Sequence, residues 1–429
     1  MTASLLDQAW DAVFQERTEP GLRMAIALVE ADPAQLGAVT LLIRTLDQLG
    51  RARPRKKHLS KLVGAWSRRG DLPQAVAAAR LAGKDAKSLV HELAAAYGQG
   101  SKRLADVSPA PPALPLAPEL GAIGKLGGAA LLDRAEQALE GFGAWEDPVE
   151  AGSVPALPLF SALPPRALER LLGVVEVREL AGGAQVIAQG EEGKEAYVVV
   201  RGTLRAERPS ADGATVLAVL GPGAIFGEMA LVSDAPRAAS VHAQEATRLL
   251  VMKRSDLEAL AKDEPALGLE LASFCRARMV ANLVRTSAVL RAAPAAQREA
   301  FMSRFSTAAF EPGDVLVQEG AEVDTLFLIA SGHVRVAKAE GDEMLVLADL
   351  GPGDVVGEIG VVLRRPASAT VTATHPTVAL GLSRKAFEDA IKEHPALLGE
   401  LYQLATQRDE ETRSVVAQEV VDLDGDVLL

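Results

Sequence analysis

Through the first hundred residues the apolar positions recur every three or four places. Leu5, Leu6, Ala9, Trp10 and Val13 fall on one helical face, and Leu41, Leu42, Thr45, Leu46 and Leu49 on another. The second run closes at Gly50, a helix stop. Gly70 is another stop, and Asp71 and Pro73 after it suit the N-cap and first turn of a new helix. Residues 107–118, VSPAPPALPLAP, are proline-rich; proline lacks the amide donor and favours extended backbone, so this segment is expected to be a semi-rigid linker. A short helix is expected near Ala129–Glu140, then a second proline-containing stretch, Val154–Pro165. From about Glu176 the periodicity shortens to strands between glycine turns, among them Ala196–Val200, Leu204–Glu207 and Thr215–Leu220.

That strand-rich stretch occurs twice, without a gap, at an offset of 130 residues. Gly183 and Gly313, Gly190 and Gly320, Gly202 and Gly332, and Gly227 and Gly357 all correspond. So do the turns Gly221-Pro222-Gly223 and Gly351-Pro352-Gly353, and the prolines Pro236 and Pro366. About eight short strands between turns in ~110 residues point to a jelly roll or sandwich. Helix-like sequence follows each copy, Arg254–Arg285 and Arg384–Glu419. Apolar residues at helical spacing from Leu257 to Leu290 join the copies with no proline-rich linker.

The expected fold class is therefore multi-domain α + β: an N-terminal α-helical domain, then two tandem β jelly rolls with flanking helices. The boundaries are 1–100 for a helical interaction domain and 101–156 for a proline-rich linker with a short helix. The first roll takes 157–285, the second 286–410, and an acidic tail 411–429. Within the helical domain, Leu62, Trp66, Gly70, Ala75, Ala79 and Ala82 resemble one tetratricopeptide-type hairpin, although a generic helical bundle is the plainer reading.

Composition narrows the function. With 48% hydrophobic and 24% charged residues, each domain can bury a core. A net charge of −12 disfavours nucleic acid and anionic lipid unless a local basic patch exists. The run Arg51, Arg53, Arg55, Lys56, Lys57 and Lys61 is such a patch, read first as a solvated loop. The single cysteine, Cys275, excludes an internal disulfide and fits a reducing compartment. No signal peptide opens the chain and no apolar run reaches ~18 residues, so a cytoplasmic protein without a membrane span is expected. The six histidines are scattered, no nucleophile–base set stands out, and Asp422–Asp426 reads as tail rather than a calcium loop. No catalysis, metal or cofactor is expected.

The chemistry gathers in Ile225-Phe226-Gly227-Glu228-Met229-Ala230-Leu231 and Pro236-Arg237-Ala238-Ala239-Ser240-Val241. A short helix opening at Gly227 offers free amides, and Arg237 can hold a phosphate through two charge-assisted bonds. Glu228 would be repelled by phosphate and should face a hydroxyl donor. A ribose beside a phosphate satisfies both. The plainer alternative is a structural Glu228–Arg237 ion pair within a loop.

This stretch resembles the phosphate-binding cassette of cyclic-nucleotide-binding domains, as in regulatory subunits of cyclic-AMP-dependent protein kinase and catabolite-activator-type regulators. The family pattern F-G-E-x-A-L, four residues, P-R-A-A-[ST]-V is matched throughout. The resemblance covers Leu157–Val284 and Leu290–Gln407, about 60% of the chain by the typical sizes of such domains. It implies that Glu228 binds the ribose 2′-hydroxyl, that Arg237 binds the phosphate, and that the amides of Met229, Ala230 and Ala238 assist. Phe226, Gly227 and Ser240 complete the first site. Ala238 after the arginine implies cyclic AMP over cyclic GMP, since a threonine there would contact guanine.

The second copy keeps Gly357, Glu358, Gly360 and Thr370 but has Ala367 where the first has Arg237. It is expected to bind weakly or not at all. Arg364 and Arg365 lie just upstream, at a variable tip that usually faces solvent. The resulting expectation is a receptor that couples cyclic nucleotide in the first roll to an unidentified protein partner, through the helical domain or the second roll. The alternatives are a regulatory subunit acting in trans and a scaffold.

Overall fold

The computed structural model describes residues 3–51, 55–108, 114–150, 152–210, 213–232, 234, 236–287, 290, 301–340, 343–393, 395, 398–399 and 401–410. The acidic tail 411–429 and the prolines at 111 and 112 lie outside these residues, as does Arg53, and the side chains of Arg55, Lys56 and Lys57 are likewise not described. The chain divides into two compact units, residues 1–232 with 239–274, and residues 233–238 with 275–429.

In the first unit, Ser4 opens α1 (Leu5–Phe14) with a capping box: its hydroxyl accepts from the Asp7 N–H, and the Asp7 carboxylate accepts from the Ser4 N–H. Helices α2 (Thr18–Ala31), α3 (Leu36–Gln48), α4 (Arg55–Arg68), α5 (Leu72–Arg80) and α6 (Ala86–Tyr97) follow. Gly50 and Gly70 adopt φ of 75° and 76°, the left-handed conformation that ends a helix. Asp71 caps α5, its Oδ1 accepting from the Gln74 N–H at 3.0 Å. Ala75, Ala77, Ala78 and Ala79 are fully buried, which lets α4 and α5 pack closely.

Residues 101–156 hold more than a linker. Strand β1 (Leu104–Ala105) pairs in parallel with β2 (Val154–Pro155), tying the segment's ends together. Between them α7 (Gly128–Ala144) lies against α2, α3 and α4. Its buried residues Leu131, Ala135, Ala138, Leu139 and Phe142 recur at three and four, so the helix completes the helical layer.

Next come α8 (Pro165–Val174) and the first roll: β3 (Glu176–Leu180), β4 (Gln185–Ile187), β5 (Glu195–Arg201), β6 (Leu204–Ser210), β7 (Gly213–Leu220), β8 (Ile225–Phe226), β9 (Ser240–Ala243) and β10 (Thr247–Lys253). They form two antiparallel sheets, β3-β10-β5-β8 and β4-β9-β6-β7. The core between them includes Tyr197, Val199, Leu204, Phe226, Val241 and Leu249. At Gly202, φ is 89° and a Cβ would stand 2.5 Å from Thr247 Oγ1, so only glycine fits this turn. The stretch from Leu257 is two helices, α9 (Arg254–Asp263) and α10 (Pro265–Thr286), because Pro265 starts a new helix instead of continuing the old one.

The helical layer docks on the first roll through buried charge. Adjacent strands β3, β10 and β5 set Glu179, Arg248 and Arg201 in register. Arg44 on α3 donates from Nε to Glu179 at 2.7 Å, and Arg248 meets the same carboxylate at 3.2 Å. Arg201 pairs with Asp7, and Asp11 accepts from the Ala246 N–H at 2.8 Å. The Trp10 ring lies 5.2 Å from the Arg201 guanidinium and 5.3 Å from that of Arg248. Arg248 is 1% exposed; burial, with Arg44 and Arg201 nearby, pushes its pKa down to about 10. The guanidinium therefore remains charged at neutral pH.

The second unit repeats the roll strand for strand: β11 (Ser306–Phe310), β12 (Val315–Val317), β13 (Thr325–Ser331), β14 (Val334–Glu340), β15 (Glu343–Leu350), β16 (Val355–Val356), β17 (Thr370–Ala373) and β18 (Thr377–Ser383). The sheet orders, β11-β18-β13-β16 and β12-β17-β14-β15, match the first roll. Helix α11 (Glu358–Leu363) lies between β16 and β17. Helix α12 (Arg384–Glu393) and helical residues 401–410 follow β18.

Candidate functional site

In the first roll, β8 delivers the chain to the cassette. Phe226 pairs with Tyr197 across the sheet and stacks on it at 5.0 Å. Gly227 then adopts φ of 72°, a conformation glycine reaches without strain, and turns the backbone into one 3-10 turn, Glu228–Leu231. The turn is closed by the Ala230 N–H, which donates to the Gly227 carbonyl at 3.2 Å. Glu228 is only 4% exposed, and Ala230 and Leu231 are buried beside it, while Met229 is half-buried. Of the later cassette residues, Arg237 is half-buried, Ala238 exposed and Ser240 half-buried. The Ser240 hydroxyl accepts from the Gln189 N–H at 3.0 Å, so it anchors the cassette to a neighbouring turn.

The second roll has the same build. Gly357 takes φ of 82° before α11, and the Thr370 hydroxyl accepts from the Glu319 N–H at 3.2 Å, the counterpart of the Ser240 bond. A cavity of about 390 Å³ opens here. Its walls are mainly apolar, with Val323, Val336, Leu347 and Val371 among them, and Ala367 stands where the first copy has Arg237. Arg364 and Arg365 do not line it. They pair with Glu388 and Asp409 at 2.9 and 3.0 Å, with side chains 72% and 53% exposed.

With alanine at position 367, Glu358 takes its cation from another element. Glu358 is 3% exposed, and Arg408 from helical residues 401–410 donates to its Oε1 at 3.0 Å. The same Nη1 donates to the Val355 carbonyl. Burial pushes the Glu358 carboxyl pKa up, and Arg408 pulls it back. No spacing in the sequence points to Arg408, which lies fifty residues from Glu358 on a different element. Among the described residues, no cluster of side chains could hold a metal ion, and no helix is long and apolar enough to cross a membrane.

Residues 177–264 and 307–394 each match the cyclic nucleotide-binding domain family. The chain thus carries two cyclic-nucleotide-binding domains in tandem. It is homologous to the cAMP-dependent protein kinase regulatory subunit of Yarrowia lipolytica, 29% identical over 54% of this chain and 58% of that protein. The type II regulatory subunit of Drosophila melanogaster is 27% identical over 55% of this chain and 60% of its own length. The chain therefore spans about three-fifths of these relatives. Among solved structures, the regulatory domain of Toxoplasma gondii PKA, crystallised with cAMP, is 25% identical, with 59% of this chain and 92% of that one covered and a TM-score of 0.28.

Proposed function

We propose that this chain is a non-catalytic receptor that binds one cyclic nucleotide, in the first roll, and passes the event to a protein partner. The observation that carries the reading is the cassette 226–241, complete in residue type, in which a left-handed Gly227 sets the buried Glu228 at the head of a short turn. A nearly inaccessible carboxyl group at this point of the cassette suits a ligand hydroxyl. Arg237 supplies a cation for a phosphate, and the second copy has alanine there. Ala238 offers no hydroxyl to a guanine amino group, which favours cyclic AMP. The names of the relatives favour a kinase catalytic subunit as the partner, bound through the helical domain or the second roll.

Isothermal titration of the full chain tests this. One equivalent of cyclic AMP is expected, bound more tightly than cyclic GMP. Charge-assisted bonds contribute ~1.5–3 kcal/mol each, so Arg237→Ala should weaken binding about 10–100-fold. Two equivalents of cyclic AMP, or unchanged affinity in Arg237→Ala, would overturn the reading.

A further inference from the structure

We infer that Arg178, Glu195 and Tyr197 are positioning residues for the first roll's cassette, and that they act by fixing the ring on which Phe226 rests. The inference rests on the proposed binding of a cyclic nucleotide in the first roll. Glu195 and Tyr197 lie two apart on β5, so they share a face of the sheet. Arg178 reaches them from β3, across the intervening strand β10. Its guanidinium grips the Glu195 carboxylate as a fork, Nη1 donating to Oε2 at 2.8 Å and Nη2 to Oε1 at 2.9 Å. The Tyr197 hydroxyl donates to the same Oε2 at 2.7 Å. The guanidinium carbon also lies over the Tyr197 ring, 5.6 Å from its centre. The ring is thus held at its tip and over one face. Phe226 stacks on it with the planes 24° apart, and both rings are buried. Gly227 follows directly, and Glu228 after it.

The second roll serves as the control. It lacks the whole set, as it lacks the phosphate arginine. At the offset of 130, Ala308 and Thr325 replace the ion pair, Phe327 replaces the tyrosine, and Val356 replaces Phe226. Val356 still pairs with Phe327 in the sheet, and Phe327 meets Phe310 edge-on at 5.7 Å. The roll therefore folds without the charged set. Nor does the Arg178–Glu195 pair add much stability by itself, because both side chains are partly exposed and water screens them. What a forked pair supplies is orientation. Arg178 also holds the Glu195 carboxyl below the usual carboxylate range, so the fork stays charged at neutral pH. The set accompanies Arg237 and ends at the residue before the cassette glycine. A fixed Phe226 fixes the entry to Gly227, and with it the place of the Glu228 carboxyl group that would meet the ribose 2′-hydroxyl.

Isothermal titration of the full chain with cyclic AMP and with 2′-deoxy cyclic AMP tests this. The parent should prefer the ribonucleotide at least about tenfold, as a hydrogen bond to a carboxylate implies. Glu195→Gln keeps the shape and breaks the fork. It should cut that preference at least about threefold, weakening cyclic AMP and leaving the deoxy compound within about twofold of its parent affinity. Arg178→Met should do the same. Tyr197→Phe keeps the ring and frees its tip, and should fall between these and the parent. A role confined to the stability of the roll would weaken both nucleotides alike, and that result overturns the inference. So does an unchanged preference in Glu195→Gln and Tyr197→Phe, the two variants that keep the core volume, and the proposed function would then stand without it. A parent chain that binds neither nucleotide, or both equally, overturns the reading of Glu228 and this inference with it.

Discussion

Two positions exchange volume between the copies. The first roll has Gly193 and Ala230; at the same offset the second has Val323 and Gly360. The structure gives the reason. A Cβ on Gly360 would stand 2.4 Å from the Val323 Cβ and 2.7 Å from its Cγ2, and a valine Cβ cannot swing away. The larger side chain moved from the cassette helix to the facing loop, where Val323 now lines the cavity. Overpacking a filled site costs ~1–3 kcal/mol. Gly360→Ala should therefore lower the melting temperature of the second unit by several degrees. In a Val323→Gly background, which restores the first copy's pair, the same substitution should cost much less. Calorimetry on the four chains checks this, and an equal cost in both backgrounds would show that the contact does not set the price.

Among the elements, the strands and their order were legible because glycines mark turns locally. Gly202 and Gly332, Gly227 and Gly357 all lie at positive φ, as turns between short strands require. Helix ends at Gly50, Gly70 and Asp71 were legible for the same reason: each is decided within a few residues. The Arg408–Glu358 and Trp10–Arg248 contacts were not, because they join elements far apart in the chain and leave no period to read. Asp71 shows what local legibility misses even when the element is right. Its role as cap of α5 follows from its type, but burial pushes its pKa up from 3.8 to about 6 despite the Gln74 N–H bond. The folded state thus holds the proton more tightly than the unfolded one. Below pH 3.8 the group is protonated in both states, and above 6 it is ionised in both and the fold bears the burial cost. Each pKa unit is about 1.4 kcal/mol, so this group's contribution should rise by at most about 3 kcal/mol as pH falls from 6 towards 4. Asp71→Asn keeps a capping oxygen and removes the charge. Urea titrations at pH 4.5 and 7.5 should show it more stable than the parent at 7.5, with the difference shrinking at 4.5. A variant less stable at both would mean that the ionised cap is favourable.

At the scale of the molecule, the helical layer and the first roll share one strand of consequence. Strand β5 holds Tyr197 against Phe226, the residue before the cassette glycine, and four residues on it holds Arg201 against Asp7 and Trp10 of α1. At ~3.3 Å per residue these two contacts are about 13 Å apart along a buried strand. The sequence separated the helical domain from the rolls by a proline-rich segment and gave no sign of this docking, since Trp10 reads as an ordinary core residue of an amphipathic helix. A buried Arg–Trp–Arg arrangement is well suited to two discrete states, because the guanidinium of Arg248 is buried beside the Glu179 carboxylate with its Nη atoms lacking a hydrogen-bond partner among the described residues, so a small shift of α1 changes how that charge is held. A ligand that binds one conformer ~100-fold better shifts the balance by ~2.7 kcal/mol, enough to change which state dominates. Cyclic AMP should therefore alter hydrogen exchange in residues 5–14 as well as 226–241. In Arg237→Ala the response at 5–14 should vanish at the same nucleotide concentration. Trp10→Leu should keep one equivalent of cyclic AMP bound yet leave α1 unresponsive, since the ring joining Arg201 to Arg248 is gone. Were the exchange response of the parent chain confined to 226–241, the first roll would bind without informing the helical layer, and the partner would have to be engaged elsewhere.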